Sequence, residues 1–205
     1  MKQNLLHNHS HKGTETQSRA DRLHVAFYLF LIAVFFLFPT CTAKAQSKSS
    51  SGIEKVFADA GLPFYLNQVS PREFSLRTLT GETQSLNALK GKVVFVNFWA
   101  TWCGPCRVEM PSMEALYNKY KKDGLEILAV NVGENQQAVQ AFMRSTGLSF
   151  PALLDADGSV SRSYGVQAIP TSFLIDRNGN IVSRLVGSID WDTAKIHAAL
   201  ETLLN

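Results

Sequence analysis

Three observations on this 205-residue chain predict an α/β domain whose central sheet mixes parallel and antiparallel strands. Two nearly unbroken apolar runs, Lys92–Trp99 and Leu125–Val132, have the length and β-branched content of strands buried on both faces. Helical apolar spacing follows each of them, as a crossover between parallel strands requires. Two Gly-containing turns, Thr80-Gly81-Glu82 and Arg177-Asn178-Gly179-Asn180, separate strand-like segments and read as hairpins, which are antiparallel.

The chain opens with a basic region, residues 1–22, where Lys2, Lys12, Arg19 and Arg22 outnumber Glu15 and Asp21. Residues 23–45 follow as a signal peptide or signal anchor. Leu23–Phe38 is almost continuously apolar and has its positive side toward the N-terminus, which is export topology. Ala43-Lys44-Ala45 suits cleavage before Gln46, the preferred reading. An uncleaved span is the second reading, because Pro39–Ala43 could extend the run toward the roughly 20 residues that cross a bilayer. Lipidation of Cys41 fits worst, since Phe38-Pro39-Thr40 lacks the small residues expected ahead of a lipidated cysteine. His7, His9 and His11 alternate, but a polar lead-in has no rigid second shell to make them a metal site.

Residues 46–60 read as a tether. Gln46–Gly52 is Ser- and Lys-rich without apolar period, and Glu54–Ala60 suits one short helix. The folded domain is expected over 61–205. Phe74–Leu79 and Thr83–Leu86 form its N-terminal β-hairpin. The buried strand Lys92–Trp99 leads into a helix over Pro105–Lys122, with Val108, Met110, Met113, Leu116, Tyr117 and Tyr120 on its apolar side and a kink at Pro111. Then come a strand at Leu125–Val132, a helix at Asn135–Ser145, a short strand at Ala152–Leu154 and a helical turn or two at Ser159–Tyr164. Ser172–Asp176 and Ile181–Val186 flank the second hairpin turn, and Trp191–Leu204 closes the chain as a helix.

The charge balance excludes one class of function. From Gln46 onward there are 15 Lys and Arg against 15 Asp and Glu, so the net +3 belongs to the N-terminal segment. A neutral domain without basic clusters has no electrostatic footprint for nucleic acid. The three cysteines, Cys41, Cys103 and Cys106, are too few for a disulfide framework.

Cys103 and Cys106 carry the chemistry, in Trp102-Cys103-Gly104-Pro105-Cys106, where a buried strand turns into a helix. That position sets Cys103 against the free N–H groups and positive dipole end of the helix, which lowers a thiol pKa. The thiolate is the attacking form in disulfide exchange, and a spacing of three lets the second sulfur close on the first. A structural zinc is the rival, but it needs four ligands and there is no second Cys pair or suitably spaced His pair. Inert core packing would not call for this turn sequence.

Over Phe74–Leu204 the chain resembles the thioredoxin superfamily, and within it the TlpA/ResA-like thiol:disulfide oxidoreductases. The resemblance lies in Val96–Pro111 as active-site strand and helix, in Ala129–Glu134 with the following helix as that branch's central strand-helix insertion, and in Val166–Leu174 as the cis-proline segment. It implies a thioredoxin fold, a central mixed β-sheet flanked by helices. It also implies that Cys103 is the nucleophile, that Cys106 is the resolving cysteine of a redox-active Cys103–Cys106 disulfide, and that Pro170 follows a cis Ile169–Pro170 bond. Trp102, Gly104, Pro105, Ile169 and Pro170 would form the substrate-binding rim, the Ile169 backbone pairing with an extended segment. Plain thioredoxins carry a buried Asp six residues before the first cysteine, where this chain has Asn97, which cannot accept a proton. The branch uses an acid after the second cysteine instead, and Glu109 matches it, to relay a proton or raise the cysteine pKa values. The alternative for Glu109 is a solvated helix carboxylate. Glu134 aligns with another acidic position near the site, and a plain surface role is an equal reading. Trp99 and Trp102 are expected as core and surface aromatics.

The implied function is an exported enzyme on the extracytoplasmic or periplasmic face, secreted or anchored through its N-terminal segment. A membrane thiol transporter would reduce it, and it would reduce disulfides in exported proteins, apocytochromes c in cytochrome c maturation among them. Cys-Gly-Pro-Cys favours the reductant direction. Roughly 150 mV, or ~7 kcal/mol, separates thioredoxin from the oxidant DsbA, and nothing visible here would supply that shift. No organic cofactor and no metal are implied. Two rival readings are an exported thiol peroxidase, which needs an isolated peroxidatic Cys, and a redox chaperone or binding module, which would survive mutation of both cysteines.

Overall fold

The computed structural model describes residues 43–205 apart from Gln68. The basic region, His7, His9 and His11, the apolar run Leu23–Phe38 and Cys41 lie outside the described residues. Among the described residues no helix is long and apolar enough to cross a membrane.

The first helix among the described residues, α1, spans Ala43–Asp59. This corrects the reading of Gln46–Gly52 as an irregular tether. Ala, Gln and Lys are good helix formers and Ser costs little, so once the next turns are fixed by packing, extending the helix N-terminally is cheap. The anchor is Phe57, buried in the main core with Ile53 and Val56 packed against it, so the end of the expected tether belongs to the folded domain.

Seven strands form one sheet among the described residues: β1 (Ser75–Thr78), β2 (Thr83–Ser85), β3 (Val93–Trp99), β4 (Leu125–Val132), β5 (Ala152–Asp155), β6 (Thr171–Ile175) and β7 (Ile181–Val186). Their order is β2-β1-β5-β4-β3-β6-β7. The three central strands β5, β4 and β3 are mutually parallel, and both flanks are antiparallel. The N-terminal hairpin thus docks on β5, at the edge of the parallel core. Gly81 and Gly179 sit at φ 87° and 83° in the two hairpin turns, a region that side chains disfavour.

The remaining helices among the described residues are α2 (Gly104–Tyr120), α3 (Gln136–Thr146), α4 (Ser159–Ser163) and α5 (Ala194–Leu204), and a 3-10 turn covers Asn87–Leu89. All seven residues of β3 are buried, and its alternation divides the core. Val93, Phe95 and Trp99 face α1, α2, α3 and α5, while Val94, Val96 and Phe98 join Phe74, Leu128, Val130, Phe173 and Val160 of α4 on the opposite face. Asn97 points to the α2 side by the same alternation. It is the polar member of that stripe.

Two helix readings shift. Trp191 precedes α5 instead of opening it, because the Thr193 side chain accepts the N–H of Ile196 and starts the helix there. In α2, which runs through Pro111, Val108 is 77% exposed, and the buried stripe is Cys106, Glu109, Met110, Met113, Leu116 and Tyr120.

Candidate redox site

From the end of β3 the chain turns through Ala100, Thr101 and Trp102, and the N–H of Cys103 donates back to Ala100 O at 3.1 Å. Cys103 is the N-cap of α2, with extended φ/ψ of −76° and 104°. Its sulfur accepts the N–H of Cys106 at 3.2 Å, one of the donors a helix start leaves unused. Pro105 fits the first turn because its missing N–H would have had no intrahelical partner. Cys103 and Cys106 are joined as a disulfide. Exposure separates them: Cys103 retains 4% and Cys106 none, so an incoming sulfur meets Cys103 first.

The expected substrate rim comes together around that sulfur. Ile169–Pro170 is cis, and Ile169 O lies 3.7 Å from Cys103 Sγ. The disulfide sulfur has no hydrogen, so this is a packing contact that a reduced thiol could turn into a weak hydrogen bond. Pro170 O accepts from Gly187 N at 2.9 Å, whereas no backbone hydrogen bond joins Ile169 to another described residue. Ile169 is therefore available for strand-like pairing with a bound segment. Trp102 stands 71% exposed at the rim, while Trp99 is fully buried, as expected for a surface and a core aromatic. A Cβ at Gly104 would meet no atom within 4 Å, so packing does not demand glycine there. A groove of about 710 Å³ begins at Gly104 and runs between α2 and α3, lined by Arg107, Val108, Met110, Phe142 and Leu148 among others.

Three residues beyond Cys106 on the buried stripe of α2, Glu109 is 1% exposed, which rules out the solvated carboxylate. Its Oε1 accepts from Asn97 Nδ2 at 2.9 Å and its Oε2 from the indole Nε1 of Trp191 at 3.0 Å. Burial raises its pKa above the ordinary value, outweighing these two donors and the backbone of Ile189, which pull it down. Asn97 Nδ2 also donates to Ser172 Oγ at 3.0 Å, and Asn97 Oδ1 has no partner among the described residues. The sequence marked Asn97 as a departure and Glu109 as an acid. It gave no signal for Ser172 or Trp191, which reach the site from β6 and from the loop before α5.

Glu134 holds the turn from outside. Its carboxylate accepts from Thr101 N at 2.7 Å, Thr101 Oγ1 at 2.5 Å and Asn131 Nδ2 at 2.7 Å. The aligned acid is thus tied to the backbone two residues before Cys103, a contact that motif reading does not reveal.

The raised pKa of Glu109 has a consequence for stability. Between the unfolded and folded values the native state holds the extra proton, so this contribution is complete below the ordinary carboxylate value and is lost as pH rises through the folded one. Chemical denaturation of the oxidised protein across pH 4–9 should show this decline. The Glu109→Gln variant should lack that component, and an identical pH profile in the two proteins would refute the assignment.

Residues 67–201 match the redoxin family. The thiol-disulfide oxidoreductase ResA of Geobacillus thermodenitrificans is 46% identical over 125 residues, covering 61% of this chain and 72% of that relative. ResA of Bacillus subtilis is 47% identical over 116 residues, 57% of this chain and 65% of the relative. Among solved structures, a thioredoxin-family thiol:disulfide interchange protein from Chlorobium tepidum matches with a TM-score of 0.60 at 30% identity, over 69% of this chain and 99% of that one. StoA from Bacillus subtilis matches with a TM-score of 0.54 at 32% identity, over 62% and 96%. The chain belongs to the redoxin family and, like its ResA relatives, is a thiol-disulfide oxidoreductase on a thioredoxin fold.

Proposed function

We propose that this enzyme is an exported reductant that opens disulfides in extracytoplasmic proteins, with the segment 23–45 directing or anchoring it at the membrane. The observation that carries the reading is the asymmetry of the pair: Cys103 at the rim on a helix N-terminus, Cys106 sealed beneath it.

In the reduced enzyme, Cys103 thiolate attacks a substrate disulfide. One substrate sulfur leaves as a thiolate and the other is held in a mixed disulfide with Cys103. Cys106 gives its proton to Glu109, one helical turn further along α2, and attacks Cys103 Sγ. The Cys103–Cys106 disulfide forms and the second substrate thiol departs. Two electrons pass to the substrate, whose two thiolates take up the proton held by Glu109 and one from solvent, where Cys103 lost its own on ionising. The backbone of Ile169 and the rim of Trp102, Gly104, Pro105 and Pro170 hold the substrate chain meanwhile. A polytopic membrane thiol transporter resets the dithiol from cytosolic electrons. Exported thiol proteins are the substrate class, with the haem-binding cysteines of apocytochromes c as the specific candidate.

Equilibrating the purified domain with dithiothreitol or glutathione buffers tests the direction. We expect a reduction potential near or below thioredoxin's, about −270 mV. A value near DsbA's, about −120 mV, would make the enzyme an oxidant and overturn the proposed electron donor.

A further inference from the structure

The three groups around Glu109 are chemically unequal. Trp191 Nε1 is a donor and can never accept, so the carboxyl oxygen facing it, Oε2, must always be an acceptor. If Glu109 takes up a proton, that proton sits on Oε1, which faces Asn97. As the site stands, Asn97 presents Nδ2 there, and an N–H can donate to the oxygen of a carboxyl O–H but cannot accept its proton. Asn97 carries the remedy in itself, because its Oδ1 is fully buried and unpartnered. A rotation about χ2 exchanges oxygen for nitrogen without moving the backbone. Oδ1 then accepts from the Glu109 O–H, and Ser172 Oγ, 3.0 Å from the present nitrogen, reverses from acceptor to donor because a hydroxyl can be either.

We propose that Asn97 is a two-position positioning residue, its carboxamide donating to ionised Glu109 and turning over to accept from protonated Glu109, with the Ser172 hydroxyl reversing in step. A carboxylate fixed at this place by a single donor would be poised for one protonation state. An amide that turns over gives the carboxyl a hydrogen bond in both states, its own N–H groups moving, in the protonated state, to the place where Oδ1 now stands without a partner among the described residues. This rests on the reading of Glu109 as the proton acceptor for its purpose, though not for its geometry. Among the described residues the hydrogen-bond partners of Glu109 are Asn97 from β3 and Trp191 and the Ile189 backbone from the loop before α5, all uncharged, and Ser172 of β6 is held by Asn97. The titratable neighbours just before it on α2 are Arg107, which is exposed, and Cys106, which does not titrate while it is disulfide-bonded.

The test therefore uses the full oxidised protein, where no thiol exchange can occur. The Glu109 carboxyl carbon is titrated by carbon NMR, and contacts of the Asn97 side-chain amide hydrogens are followed by nuclear Overhauser effects. Above the Glu109 midpoint these hydrogens should contact the Ser172 side chain, and below it those contacts should disappear. Glu109→Gln, whose own amide nitrogen must face Asn97 because its oxygen must face Trp191, should show the low-pH pattern at every pH. Asn97→Ala adds an independent reading. A fixed donor, when removed, would raise the Glu109 midpoint by about one pH unit or more. A residue that serves both states should leave the midpoint nearly where it was. Asn97–Ser172 contacts that persist through the titration and in Glu109→Gln would overturn the proposal, as would a rise of a unit or more in Asn97→Ala. With the disulfide-exchange rate of the reduced Glu109→Gln variant measured separately, slow exchange with a stationary Asn97 would sink the two-position role alone. A turning Asn97 with unimpaired exchange would sink the proton relay alone.

Discussion

Cys106→Ser should accumulate mixed disulfides through Cys103 with its substrate proteins, and Cys103→Ser should form none and lose turnover to the background of free thiols. The two substitutions remove the same atom from positions three residues apart, so the difference between them isolates location. Cys103 has its sulfur at the rim, within reach of a partner sulfur and against the N–H of Cys106, which favours a negative charge there. Cys106 has no exposed surface and is walled in by the buried side of α2, so a lone thiol at that place reacts only when the site opens. Capture on an affinity column followed by reduction and mass spectrometry reads the partners. Recovery of exported cysteine proteins from Cys106→Ser supports the proposed compartment. Equal trapping by both variants would show that the asymmetry does not govern attack, and recovery of cytosolic proteins alone would remove the extracytoplasmic assignment.

Trp191→Ala should produce the largest loss of stability of any substitution outside the cysteines, about 4–5 kcal/mol. The indole is 1% exposed, its ring centroid lies 4.4 Å from that of Phe95, and its N–H holds the Glu109 carboxylate. Truncation opens a cavity and also removes a hydrogen bond from a buried acid, two costs that compound. For a domain of this size such a loss lowers the melting temperature by roughly 10–20 °C. Trp191→Phe keeps most of the volume and gives up the donor, and should cost only about 1–2 kcal/mol. Denaturant midpoints separate the packing part from the polar part. A loss below about 1.5 kcal/mol for the alanine variant would mean that Trp191 is not part of the core described.

The sheet was readable because its strands are continuous. Leu125–Val132 and Ile181–Val186 have the predicted ends, since each apolar run is bounded by a turn residue that stops it. The cysteine pair was readable because its chemistry is local, four residues at a strand-to-helix turn. The buried position of Glu109 was half visible. It falls on the stripe of Cys106, Met113, Leu116 and Tyr120, but Val108 drew the apolar face one position away from it. The rest of the network depends on contacts between residues far apart in the chain. Asn97 and Ser172 are 75 positions apart, Glu109 and Trp191 82. Nothing in the residue types near Trp191 announces which carboxyl it will meet. Residues 46–52 failed as a sequence reading for a different reason: composition describes local preference, and a helix anchored by Phe57 overrides weak preference.

The hold of Glu134 on Thr101 bears on how this enzyme can be engineered. The segment from Thr101 to Cys106 is not a cassette that could be grafted onto a simpler sheet, because the acid clamping it follows β4 and opens the inserted helical segment. A designer who trimmed the insertion to make a smaller enzyme would keep every residue of the redox motif and lose the anchor that sets the pitch of its turn.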